Sequence, residues 1–280
     1  MKCALFANAQ KPQAEEVLHD LSHFLHTHNV EIVVQHTSAI SPDDAKRLSP
    51  ILNECDLLVS IGGDGSILHL VHQINLPKAP IVGINLGSLG FLADVSIQSL
   101  FSDFEQICLK EYQTVDRLVI EGYIAEQYVD FSVNEIAIHR GCNPHLIELA
   151  VHVDGKFLNT FSSDGLIIST PIGSTAYSLS AGGPILSPDT QALVITPICP
   201  HTLSHRPLVL MPQESICIEI LHGAQAVDVA FDGQPPHPLA KGQALEIRKS
   251  PKHFRLVSLK QSSYFETIRQ KLGWAGSLRK

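Results

Sequence analysis

The sequence has no pair of cysteines at C-x-x-C spacing. Its six cysteines stand singly at 3, 55, 108, 142, 199 and 217. That excludes a cysteine-rich zinc site and points to free thiols in a reducing compartment rather than a disulfide frame. No uninterrupted apolar run approaches the roughly 20 residues of a membrane helix, so no membrane partner is expected. Positive charge is in deficit: 20 Lys and Arg against 28 Asp and Glu leave a net charge of −8. With a pI near 6.0, the chain has no broad basic field for nucleic acid. A small anion is another matter, because a nest of backbone N–H groups binds one without net positive charge. Internal repeats, low-complexity linkers and long charge runs are missing as well. The start, MKCALFANAQKPQ, has one early lysine and an apolar run cut off by Asn8, which reads as a first strand and not as a signal peptide. These absences predict a soluble, cytoplasmic protein.

What is present is length and apolar content: 280 residues, 44% of them hydrophobic, enough for one large domain or two ordinary ones. The first 110 residues alternate between two periods. CALFA, VEIVVQH, CDLLVSI and APIVGIN are strand-like. Between them, residues 12–28 place Ala14, Leu18, Leu21 and Leu25 on one helical face. Ser41-Pro42 opens a second helix as a cap followed by proline, and further helices are expected over about 66–75 and 96–108. Such alternation predicts a parallel sheet covered on both faces. From about 112 to 259 the texture is a series of strands broken by Gly, Pro, Asn or Asp, interrupted by one helix. That helix has Ser174 or Thr175 as its cap and Gly182-Gly183-Pro184 as its stop. The expected division is therefore an α/β domain over 1–110 and a β-rich domain over 111–259. A closing helix within 260–280 packs back on the first.

Four stretches carry polar groups that a plain core would not request: GGDGS, VNEIAI, SSDGLIISTPIGSTAYSLSAGGPI and FDGQ. Gly62, Gly63 and Gly65 surround Asp64 on a strand-to-helix turn, where free N–H groups favour a phosphate. A carboxylate repels phosphate, so Asp64 binds a metal, accepts a proton, hydrogen-bonds a sugar or simply caps the helix. Asn134 and Glu135 interrupt a run of Val, Ile and Ala. Adjacent strand residues point to opposite faces, so one of the two enters the sheet interior or a site and needs partners there; the alternative is an edge bulge with both solvated. Asp164-Gly165 is either a solvated turn or part of a site. The run 169–183 gathers hydroxyls, a tyrosine and glycines, which suits a ligand that stacks and accepts hydrogen bonds, or else an ordinary capped helix. Fifteen histidines invite a metal reading, with His19, His23 and His26 on one helical face. No H-e-x-x-H pattern accompanies them, and a polar helix flank explains them.

Taken together, IGGDGSIL, GINLGSLGFLADV, VNEIAIHR, SDGLIISTPIGSTAYSLSAGGPI, PHTLSHRPLVL and FDGQ resemble the NAD kinase family over nearly the whole chain. The resemblance implies an α/β N-terminal domain, a β-rich C-terminal domain and a site between them. It also implies transfer of the ATP γ-phosphoryl group to the adenosine ribose 2′-hydroxyl of NAD, with Mg2+ or another divalent cation, in a homodimer or homotetramer. By position, Asp64 matches the general base and Gly65 the adjacent backbone contact. Asn134 and Glu135 match residues that hold the dinucleotide. His145, Ser162, Asp164, the run Thr175, Ala176, Tyr177, Ser178, Leu179 and Ser180, and Gln234 match further contacts. No G-x-x-x-x-G-K-[ST] is present, so the resemblance assigns phosphate stabilisation to the N–H groups of the turn and the metal.

Three positions depart from the family pattern. Leu86 and Ser88 stand where many relatives carry Arg and Asn, and Ser162 stands where some carry Arg, which leaves the preference between NAD and NADH open. Two rivals remain at this level: a lipid kinase sharing the GGDG turn, and a dinucleotide sensor without catalysis. The acidic charge and the polar 162–180 run disfavour the first, and the presence of Asp64 disfavours the second.

Overall fold

The structure, a computed structural model, describes residues 1–37, 40–87, 90–202, 204–212, 214–223, 225–259 and 264–274. It divides into two compact units: Met1–Asp116 with Phe254–Lys280, and Arg117–His253. No helix among the described residues is long and apolar enough to cross a membrane.

The first unit contains the strands β1 (Lys2–Ala7), β2 (Glu31–His36), β3 (Leu57–Gly62), β4 (Ile81–Asn85), β5 (Val95–Ser96) and β6 (Gln113–Arg117). Its helices are α1 (Ala14–Thr27), α2 (Pro42–Leu52), α3 (Asp64–Gln73) and α4 (Leu100–Cys108). β2, β1, β3 and β4 pair in parallel in that order. Every residue of β3 and β4 is buried, as expected of a parallel sheet covered on both faces. α1 and α4 share one core with Leu5, Leu57, Val59 and Ile84. α3 lies on the other face, where a side chain at Gly83 would come within 2.5 Å of Ile67 Cδ1. Ser41 caps α2 as its sequence predicts, accepting the Asp44 amide at 3.1 Å, with Pro42 in the first turn.

In the second unit the strands are β7 (Ile120–Ile124), β8 (Gln127–Ser132), β9 (Glu135–His139), β10 (Ile147–Val153), β11 (Lys156–Ser163) and β12 (Gly165–Ser169). They continue with β13 (Leu193–Ile198), β14 (Leu208–Leu210), β15 (Ile216–His222), β16 (Ala226–Phe231), β17 (His237–Ala240) and β18 (Ala244–Lys249). They form two six-stranded sheets, ordered β11-β10-β15-β18-β7-β8 and β14-β13-β12-β9-β16-β17. Ile120, Leu149, Ile218 and Ile247 from the first sheet join Ile136, Leu166, Val229 and Phe231 from the second in one core.

The chain then returns to the first unit. β19 (Phe254–Ser258) pairs in parallel with β4 and lies beside β6, and α6 (Tyr264–Leu272) follows. The two units divide after Asp116 and before Phe254, with β6 and β19 in the sheet of the first. α6 is grouped with the first unit: Thr267 and Ile268 are buried, and the Tyr264 ring lies 6.2 Å from that of Phe91. Residues 260–263 and 275–280 of the expected tail lie outside the described residues.

Candidate functional site

In the first unit, β3 ends at Gly62 and α3 begins at Asp64, two residues earlier than the apolar spacing predicts. Gly62 is required by a close approach, since a Cβ there would lie 2.2 Å from Ser66 Oγ. The Asn8 side-chain amide donates to that same hydroxyl at 3.0 Å, tying the end of β1 to the glycine turn. Asp64 does not cap its own helix. Its Oδ1 accepts the Leu92 and Ala93 amides, each at 3.0 Å, and its Oδ2 accepts the Phe91 amide at 2.8 Å. A Cβ at Gly90 would sit 2.0 Å from Asp64 Oδ1, so only glycine lets the 90–93 turn close on the carboxylate. A carboxylate has about four acceptor positions, and Oδ2 retains one for an incoming donor. Gly65 has open space around its Cα. A cleft of about 330 Å³ runs over this turn from Asn8 and Lys11 to Asn85, Gly87, Gly90 and Lys271. Leu86, one of the departures from the family pattern, is partly buried against the core of the first unit; Ser88 lies outside the described residues.

In the second unit, Asn134 lies between β8 and β9, where the chain passes from one sheet to the other. Glu135 opens β9. Asp232 fixes both: its Oδ2 accepts the Val133 amide at 2.7 Å, and its Oδ1 accepts those of Asn134 and Glu135 at 2.8 and 3.0 Å. From the other side the Thr170 amide donates to the Asn134 carbonyl at 2.8 Å. A Cβ at Gly173 would lie 2.0 Å from that same carbonyl oxygen. Asp232 and Gly233 take φ of +47° and +70°, a left-handed turn that Asp and Gly tolerate. The backbone at 133–135 is thus immobilised, while the Asn134 side-chain carbonyl oxygen and Glu135 Oε2 are buried with no hydrogen-bond partner. Such groups are costly unless something pairs with them. Burial, reinforced by the Asp232 charge and opposed by a hydrogen bond from the Tyr177 amide, pushes the Glu135 carboxyl up to about 8.

The rest of the expected contact residues belong to the same unit. Gln234 follows the Asp232-Gly233 turn, its amide bonded to the Phe231 carbonyl at 2.9 Å. Tyr177 stacks on His139, ring centroids 5.5 Å apart, and packs beside Ala137, Ile167 and Ile198. Burial lowers the His139 pKa, against the raising influence of Asp228 and Asp164. Asp164 sits at a second crossing between the sheets, from β11 to β12, and pairs with Arg140 at 2.8 Å. Ser174 and Thr175 do not cap a helix as expected. They belong to a 3-10 turn, Gly173–Thr175, and the short helix α5 (Tyr177–Ser180) starts after Ala176 with no side-chain cap. The close approach of Gly173 to Asn134 forces that tight turn, and the buried Ser174 hydroxyl donates to the Pro171 carbonyl at 2.6 Å. Ser178 is buried and its hydroxyl meets that of Thr196 at 2.9 Å. Leu179 is half-buried and Ser180 exposed. His145 is exposed, its amide bonded to Asn143 Oδ1 at 3.1 Å. Ser162 lies in β11 opposite Glu148 of β10, and its carbonyl accepts the His201 amide at 2.9 Å.

Sequence reasoning missed Asp232, Arg140, Lys11 and Lys271. Asp232 was within reach, since FDGQ stands out as a polar turn after an apolar strand. Among the described residues no three His, Cys, Asp or Glu side chains gather to hold a metal ion.

Comparison with known proteins gives a consistent result. The model of the ATP-NAD kinase N-terminal domain matches residues 3–112, and that of the ATP-NAD kinase C-terminal domain matches residues 133–259. An NAD kinase of Protochlamydia amoebophila is 44% identical over 276 residues, covering 99% of each chain. One of Yersinia pestis is 36% identical over 253 residues, or 89% of this chain and 86% of that protein. Among solved structures, yeast NADH kinase complexed with NADH superposes with a TM-score of 0.83 at 30% identity, over 100% of this chain and 89% of that one. An Archaeoglobus fulgidus NAD kinase in complex with ATP gives 0.80 at 24% identity, over 96% and 99%, and shows the shared fold.

Proposed function

The chain belongs to the NAD kinase family: it transfers the γ-phosphoryl group of ATP to the adenosine ribose 2′-hydroxyl of NAD, giving NADP and ADP, and we propose that Asp64 is the base of that transfer. The observation that carries this role is the fixed carboxylate at the rim of a polar cleft, held by three amides with one Oδ2 acceptor position to spare. A secondary alcohol is a weak nucleophile, and a carboxylate within hydrogen-bond reach makes it a better one. The 2′-oxygen bonds to the γ-phosphorus as the bond to the ADP oxygen breaks, and the hydroxyl proton passes to Asp64 Oδ2. Most of the remaining barrier is lowered by positioning and charge neutralisation.

The dinucleotide falls to the second unit. Asn134 and Glu135 offer buried, unpartnered acceptors on a backbone that Asp232 and Thr170 hold still. Glu135, protonated near neutral pH, also offers a donor. The divalent cation is best supplied on the donor itself. Asp64 already gives three acceptor positions to amides, and Mg2+ commonly binds through substrate phosphates while keeping several waters. When bound, it neutralises phosphate charge.

Incubation of the purified protein with MgATP and, in separate reactions, NAD, NADH and diacylglycerol tests the reading. NADP from NAD is the expected product. Phosphorylated lipid, or ligand binding with no product from any acceptor, would overturn it.

A further inference from the structure

Two lysines from opposite ends of the chain line the cleft over the glycine turn: Lys11, in the loop after β1, and Lys271, in the last turn of α6. Both belong to the first unit. The lining side chains are otherwise those of asparagine, serine and Asp64, with no aliphatic or aromatic group among them. That surface suits a chain of phosphates better than a ring, which wants an apolar face. In a protein of net charge −8, it is also a local reversal of sign.

Each lysine rides on a segment fastened to the machinery beneath it. The Lys11 amide donates to the Asn8 carbonyl at 2.9 Å, and the Ala14 amide donates to the Lys11 carbonyl at 3.0 Å. Asn8 accepts the Gln10 amide on Oδ1 and donates to Ser66 Oγ, both at 3.0 Å. The loop carrying Lys11 is therefore pinned to the first turn of α3. On the other side, α6 sets Tyr264 against Phe91, whose amide binds Asp64 Oδ2. Lys271 is exposed on the helix so anchored.

We infer that Lys11 and Lys271 form a two-sided cationic clamp for the triphosphate of ATP, taking the part that a single P-loop lysine plays elsewhere. An ammonium is a compact charge with three donors on a flexible stem, suited to follow phosphate oxygens as charge shifts between them. The N–H groups of the glycine turn then share the stabilisation rather than supply it alone. This rests on the cleft being the donor side of the kinase.

The test compares wild type with Lys11→Gln, Lys271→Gln, the double variant and the two Lys→Arg variants. Both lysines are exposed, so melting temperatures should stay close to wild type. Each single Gln variant should raise the KM for ATP by roughly five- to tenfold, within the range of an ordinary net hydrogen bond. The double variant should exceed either and show a weaker salt dependence of that constant. The KM for NAD should move less than about twofold, and Arg should restore most of the loss. An unchanged KM for ATP in the double variant, or an equal rise for ATP and NAD, overturns the clamp. Calorimetric titration of MgATP into wild type and double variant keeps the question separate from the activity. If wild type makes no NADP, the kinase reading fails, while a difference in ATP affinity still supports the clamp and equal affinities overturn it.

Discussion

Asp232 Oδ1 accepts the Asn134 amide at 2.8 Å across a sequence separation of 98 residues, and the same carboxylate takes the amides on either side. The turn after β16 thereby sets the backbone from which Asn134 and Glu135 project. Asp232→Asn keeps the shape but puts an NH2 group where one oxygen accepted an amide. Leaving a part-buried donor unpaired costs about 1–3 kcal/mol. The expected outcome is a lower melting temperature together with a raised KM for NAD and little change in that for ATP. A stability loss with an unaltered KM for NAD would separate the clamp from dinucleotide binding.

Glu135 gives a pH signature. Its carboxyl is pushed from 4.5 to about 8 by burial and by Asp232, with the Tyr177 amide opposing. Between those values the folded protein holds a proton that the unfolded chain has released, so stability falls as pH rises through the window. At about 1.4 kcal/mol per unit, the rise from 4.5 to about 8 corresponds to a total on the order of 5 kcal/mol. Glu135→Gln is neutral at every pH. Its melting temperature should fall less than that of wild type between about pH 5 and 8 and should exceed it at pH 8. Parallel melting profiles would contradict the buried, protonated carboxyl.

Gly90 and Gly65 make opposite predictions. Ala at 90 places a methyl 2.0 Å from Asp64 Oδ1 against a carboxylate held by three amides, so the turn must open. Turnover should fall at least tenfold, with a lower melting temperature, since small misplacements of catalytic groups are costly. Ala at 65 meets nothing within 4 Å and should stabilise the start of α3 by about 0.5 kcal/mol, while raising the KM for ATP by intruding on the cleft. Equal effects of the two changes on melting would refute the assigned packing.

Ser162 is small and neutral, and stands in β11 opposite Glu148. NAD carries a positive nicotinamide ring and NADH a neutral one. With serine rather than arginine at 162, we expect NAD as the main acceptor with measurable activity on NADH. Ser162→Arg should narrow that range, by less if the new guanidinium pairs with Glu148 across the strands. Specificity constants for both acceptors in both proteins decide it. An unchanged ratio would remove position 162 as a discriminator.

Much of this was legible in the sequence, and the gaps have physical causes. Strands and helices around Asp64 follow from period and capping, because a buried parallel sheet needs continuous apolar runs. Asn134 and Asp164 stand out as polar interruptions of such runs. What the pattern hides is that each marks a crossing between sheets, so apparent single strands split there. The partners of the two aspartates are invisible locally: the 91–93 amides lie 27–29 residues after Asp64, and the 133–135 amides 97–99 before Asp232. Lys271 comes to line the same cleft as the glycine turn only because β19 returns the chain to the first sheet, and that short strand carries no signal distinguishing it from its β-rich neighbours.

The most direct test follows phosphoryl transfer from γ-labelled ATP to NAD in a single turnover by wild type and Asp64→Asn, with the product cleaved to locate the label. Asn retains one oxygen for the Leu92 and Ala93 amides but opposes an NH2 group to that of Phe91, so melting is measured alongside and should drop modestly. The account predicts label on the adenosine ribose 2′-oxygen and a rate lowered by about 10²–10⁴, the usual loss on removing a general base, with NAD affinity largely kept. A folded Asp64→Asn protein that transfers phosphate at nearly the wild-type rate would contradict it.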